Sequence, residues 1–97
     1  MIKLKYRDLI VELKRIEELS CYNNNYYQVK ENTSTEYATF KKDLVIYEKY
    51  YEACNIYDYH FGYVEDGKFK HLFTLSGFYN ERYRQIEIDD KFIFKEV

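Results

Sequence analysis

At the start of the chain, apolar residues recur at helical spacing. Tyr6, Leu9, Ile10, Leu13 and Ile16 fall on one side of a helical projection, with Lys14, Arg15, Glu17 and Glu18 toward the other. Such a stripe predicts an amphipathic helix. The stretch SCYNNN should end it, because asparagine favours turns and left-handed backbone. Tyr26 to Lys30 (YYQVK) reads as a short strand. A second helix is then expected over Ser34 to Ala53. Thr33 and Glu36 fit a capping box. Behind them Tyr37, Phe40, Leu44, Tyr47, Tyr51 and Cys54 follow spacings of three and four. The β-branched pair Val45 and Ile46 speaks against a helix locally.

From Ile56 the pattern changes. IYDYHFGYV and KFKHLFTL flank Asp66-Gly67, a strong two-residue hairpin signal. SGFYNE makes a further connection, and RYRQIEI with FIFKEV reads as another hairpin. No proline interrupts these strands. The expected fold class is α+β: two helices packed on a mainly antiparallel sheet of four or five strands, in order α-β-α-β-β-β-β. Residues 1–97 should form a single domain, since no linker, repeat or low-complexity tract divides them.

An Asp-Gly loop also fixes a register. It sets Glu65 opposite Lys68, Val64 opposite Phe69, Gly62 opposite His71 and His60 opposite Phe73. The only two histidines, His60 and His71, then become diagonal neighbours on one strand face, with Asp58 beside them. Two histidines and a carboxylate outline a facial metal triad, or a pair that repels when protonated. Val64, Phe69, Phe73 and Leu75 would share that face, so the expectation is structural histidines at the rim of a core, with no metal and no cofactor.

Composition changes the picture at two points. The chain holds 13 Tyr and 7 Phe, and a core of this size cannot enclose every tyrosine, so several should lie at the surface. Phe, Tyr, Met, Ile, Asn and Lys, with A/T-rich codons, supply 46 residues, whereas Gly, Ala, Arg and Pro supply 9. That bias points to an AT-rich genome such as that of a low-GC bacterium or its phage. Charge is nearly balanced, 15 basic against 17 acidic side chains, without the basic stripe of a nucleic-acid interface. The opening residues lack the apolar run of a signal peptide or membrane span. Cys21 and Cys54 should therefore be reduced thiols in a cytoplasm.

Candidate chemistry is thin. Cys54 completes the second apolar stripe and should be core, while Cys21 sits in the asparagine-rich loop without the signature of a reactive thiol. Arg82, Tyr83 and Arg84 could stack on and contact a single-stranded nucleic acid, but they read more simply as an exposed strand. No nucleophile–base pair or phosphate loop emerges, so no enzymatic activity is expected. The surplus tyrosines point to protein binding, where aromatic residues give large contact area at low entropic cost. Tyr47, Glu48, Tyr50, Tyr51, Glu52, Asp58, Tyr59 and Tyr63 are the expected contact residues. The partner would be a larger protein, such as a nuclease or nucleoprotein, whose basic groove meets carboxylates in place of phosphates and tyrosines in place of bases. A homodimer is also open. By class analogy, small acidic proteins of AT-rich phage and mobile elements are often stoichiometric inhibitors, among them anti-CRISPR and toxin-immunity proteins. The rival expectations are a single-stranded nucleic-acid-binding module and, further off, a small metal-dependent hydrolase built on Asp58, His60 and His71.

Overall fold

The computed structural model describes residues 2–6, 9–34, 39–73 and 86–88. These form β-strands and turns only. The strands are β1 (Ile2–Tyr6), β2 (Leu9–Arg15), β3 (Asn24–Val29), β4 (Thr33–Ser34), β5 (Thr39–Phe40), β6 (Val45–Tyr51), β7 (Ile56–Glu65), β8 (Lys68–Phe73) and β9 (Ile86–Ile88). Seven of them make one sheet in order β8-β7-β6-β3-β2-β1-β9, and β4 with β5 makes a separate two-stranded ribbon. Every pairing is antiparallel.

The α+β expectation is thus corrected to all-β for the described residues. The first expected helix is the β1–β2 hairpin, and the second is the β4–β5 ribbon followed by β6. Leu9, Val11 and Leu13 are buried while Ile10 between them is 53% exposed, which is the period of a strand. Thr33, expected as the helix N-cap, and Ser34, expected to begin the helix, pair with Phe40 and Thr39 instead. The strand expected at Tyr26 to Lys30 is observed as β3, beginning two residues earlier and ending one residue earlier. Arg82, Tyr83, Arg84, Leu75 and the FIFKEV stretch lie outside the described residues.

Alternation divides the sheet into two faces. One carries Leu4, Val11, Leu13, Tyr27, Val29, Ile46, Tyr59, Phe61 and Ile86, all buried in a single cluster. Phe40, from the ribbon, belongs to the same cluster, its ring 6.2 Å from that of Phe61. The turn before β6 is fastened to β3 by Val29 N–H donating to the Leu44 carbonyl (2.9 Å) and Asp43 N–H to the Val29 carbonyl (3.0 Å). Asp43 itself has φ 72°, a left-handed conformation that Asp tolerates better than most residues.

The β7–β8 hairpin turns at Asp66-Gly67, whose φ values of 53° and 73° match the two positive angles of a type I′ turn. Register follows the expected pairing from Glu65–Lys68 to Gly62–His71, then shifts by one so that Phe61, not His60, faces Phe73. Leu72 is the extra residue, a β-bulge that bends the strand. The bend brings β8 close over Gly62. A Cβ there would overlap the Lys70 carbonyl oxygen and come within 2.9 Å of the Phe69 ring.

Candidate interaction surface

The other face of the sheet carries an aromatic row. Tyr26 on β3 is in register with Tyr47 on β6, and Tyr47 with His60 on β7. The Tyr26 and Tyr47 rings stack with centroids 4.5 Å apart and planes 8° from parallel, an arrangement that directly opposed strand residues allow. His60 lies 5.8 Å beyond Tyr47. Phe69, carried across Gly62 by the bend in β8, meets Tyr26 at 5.6 Å and Tyr47 at 5.8 Å. Val45, directly opposite Gly62, is buried.

The histidines do meet. His60 and His71 make an edge-on ring contact at 5.3 Å, and His60 Nε2 is hydrogen-bonded to Asp58 Oδ2 at 2.8 Å. Asp58 therefore fixes the orientation of the His60 ring. Among the described residues, no group of three or more His, Cys, Asp or Glu side chains is arranged to hold a metal ion.

Tyr47 is held at its tip as well as at its face, its hydroxyl donating to Asn24 Oδ1. Burial pushes the Tyr47 phenol up to about 12, with Tyr26, Tyr51, Cys21 and Asp58 adding to the shift. The Tyr26 phenol is raised mainly by burial and next by Cys21, while the Tyr47 hydroxyl acts the other way. Both rings thus stay neutral donors, half sunk into the sheet.

At one end the row runs into two adjoining turns. Asn23 and Asn55 adopt φ of 64° and 53°, which asparagine accommodates through local side-chain bonding. Tyr50 N–H donates to the Asn23 carbonyl at 2.9 Å and locks the turns together. Glu52 accepts from the Tyr22 hydroxyl and from Asn23 Nδ2 (3.0 Å). These two bonds hold its carboxyl below the usual range, and the bond to Glu52 raises the Tyr22 phenol. Tyr22 is nevertheless 81% exposed, and Tyr51 at the end of β6 is exposed with Lys49 Nζ 4.9 Å above its ring.

The residues expected at a contact surface are distributed unevenly. Tyr47, Tyr51, Glu52 and Asp58 lie on this face or in its adjoining turn. Tyr50 points to the opposite face, its ring 4.7 Å from Tyr57 and its hydroxyl bonded to Asn55 at 2.9 Å. Tyr63 is exposed near the β7–β8 turn. Glu48 and Tyr59 are each 0% exposed and offer nothing to a partner. Tyr59 donates to Glu48 Oε2 at 2.7 Å, Asn25 Nδ2 donates to Oε1 at 3.3 Å, and Arg15 Nη2 donates to Asn25 Oδ1 at 3.0 Å. This polar chain satisfies a carboxyl group placed in the core, as burial demands. Cys54, expected in the core, is exposed in the β6–β7 turn, and Cys21 is also a free exposed thiol. Tyr22, Tyr26, Phe69 and Asn24 were outside the expected set. The pairing register of β3 with β6 and the bend in β8 bring them in.

No helix among the described residues is long and apolar enough to cross a membrane. Compared with known protein families, with curated proteins and with solved structures, the chain finds no match in any of the three.

Proposed function

We propose that this chain is a non-enzymatic binding protein that acts by occupying a larger protein partner, as a stoichiometric inhibitor of the anti-defence or immunity type does. The observation that supports it is the tyrosine-rich row lying outside the core and already ordered. Tyr26 and Tyr47 are stacked, Tyr47 is tethered to Asn24, and Tyr22 is tethered to Glu52. Aromatic side chains that are rigid before binding lose little entropy on docking, which is the property of interface hot spots. The inhibitor half of the reading rests on gene composition and class analogy.

The source of affinity differs from the one composition suggests. Of the three carboxylates expected at the contact surface, Glu48 is buried and Asp58 is engaged by His60, which leaves Glu52 alone to stand in for a phosphate. The aromatic face itself carries the reading. Charge favours a protein over a nucleic acid: the formal net charge is −2, and counterion release needs clustered cations.

The test is capture from a lysate of a low-GC bacterium with wild-type protein and with a Tyr22→Ala/Tyr51→Ala double variant. Both side chains are exposed, so the variant should keep its circular dichroism spectrum. Loss of two interface tyrosines should weaken a captured protein by about 30-fold or more. A protein retained equally by both forms, or retention of oligonucleotide alone, would reject the proposal.

A further inference from the structure

Glu52, in the turn between β6 and β7, reaches across to Tyr22 and Asn23 in the turn before β3. Both of its donors use the same oxygen: the Tyr22 hydroxyl and Asn23 Nδ2, the latter at 3.0 Å, bond to Oε1. A carboxylate oxygen accepts about two such bonds, so Oε1 is filled. Oε2 accepts none from the described residues, and the side chain is exposed.

The charge of this group is also unanswered. Its carboxyl is held below the usual range by two neutral donors, and among the described residues no ion pair reaches it. Lys49, the cation nearest in sequence, stands over the Tyr51 ring instead, 4.9 Å from its centroid. An aromatic ring next in sequence to Glu52 thus already takes a cation on its face. The bond from its hydroxyl holds the Tyr22 ring beside the Glu52 anion, and that ring is 81% exposed.

An open ring face attracts a cation, and an ionised oxygen attracts charged donors. A guanidinium can use both at once, because it is planar, stacks on aromatic rings and donates in its own plane; an ammonium is a compact, strongly hydrated point charge. We propose that Tyr22, Asn23 and Glu52 form a receptor for an arginine side chain of the protein partner, its guanidinium donating to Glu52 Oε2 while lying against the Tyr22 ring. The proposal rests on the reading that this surface meets a protein, and it adds the chemistry the partner presents there.

The experiment is an NMR titration of the full chain with blocked Ser-Xaa-Ser peptides in which Xaa is arginine, lysine or citrulline, the neutral isostere of arginine. The expected result is saturable shifts of the Tyr22 ring and the Asn23 side-chain amide with the arginine peptide, weaker ones with lysine and none with citrulline. Glu52→Gln keeps an acceptor for both donors, so the turns stay joined while the charge is lost; its affinity for the arginine peptide should fall about tenfold or more. Arginine matched by either other peptide, Glu52→Gln binding as wild type does, shifts that leave Tyr22 and Asn23 unmoved, or no response would each overturn the proposal. Lysate capture separates this failure from that of the binding reading. A protein held equally by Glu52→Gln and wild type, yet lost from Tyr22→Ala/Tyr51→Ala, overturns the arginine receptor and leaves that reading standing. Wild type that captures no protein rejects that reading, and the peptide titration still decides the receptor.

Discussion

Replacing Gly62 by Ala probes the bend that shapes the aromatic face. The new Cβ would overlap the Lys70 carbonyl oxygen, and the Lys70 carbonyl carbon and Phe69 ring would each lie at 2.9 Å. Two of these three neighbours are backbone atoms, which cannot rotate away. The hairpin from Gly62–His71 to Glu65–Lys68 would have to swing outward, taking Phe69 off Tyr26 and Tyr47. Overpacking usually costs about 1–3 kcal/mol, and loss of the Phe69 packing places this case near the top, at about 3 kcal/mol. With a urea dependence of about 1 kcal/mol per molar for a small domain, the unfolding midpoint should drop by about 3 M. Gly67→Ala is the internal control. Nothing lies within 4 Å of its Cβ position, but φ is +73°, so the cost is strain alone, about 1 kcal/mol. If urea unfolding shows Gly62→Ala costing no more than Gly67→Ala, β8 does not cross Gly62 as described.

Three further outcomes follow from the buried and half-buried groups. Tyr59→Phe removes the hydroxyl that donates to Glu48 at 2.7 Å, leaving a buried acceptor short of a donor; denaturant unfolding should register a loss of about 1–3 kcal/mol. Spectrophotometric titration should find Tyr47 still neutral at pH 11, since its phenol is pushed up to about 12. Because that value lies above the ordinary one near 10, its contribution to stability is fully present below pH 10 and fades as pH rises from 10 toward 12; a stability curve flat across that window would contradict the burial of the ring. A far-UV spectrum with more helix than the residues outside the described strands could supply would contradict the all-β architecture of the described residues.

The β7–β8 hairpin was legible because its signals are local. Asp66-Gly67 names a turn type, the turn sets the register, and the register brings His60, His71 and Asp58 together. The bulge at Leu72 was not legible, since nothing in KFKHLF marks which residue is extra, and it moved the partner of Phe73 from His60 to Phe61. The two expected helices failed for a different reason. A spacing of four is even, so Leu9 with Leu13 and Tyr47 with Tyr51 share a face in a strand as well as in a helix. Only the spacings of three separate the two periods, and on a strand they put Leu44 and Tyr47 on opposite sides. Val45 and Ile46, whose β-branching favours strands, carried the better signal. Once β6 is a strand, Glu48 and Tyr59 fall on the core face and leave the expected contact surface, while Tyr26 enters it through pairing with Tyr47.

If the tyrosine row meets a protein partner as proposed, the ring signals of selectively labelled tyrosine should report it when the captured partner is added. Tyr22, Tyr26, Tyr47 and Tyr51 should shift, with Tyr27 and Tyr59 unmoved in the core. A bound partner that leaves all four of the first group unchanged would refute the proposed contact.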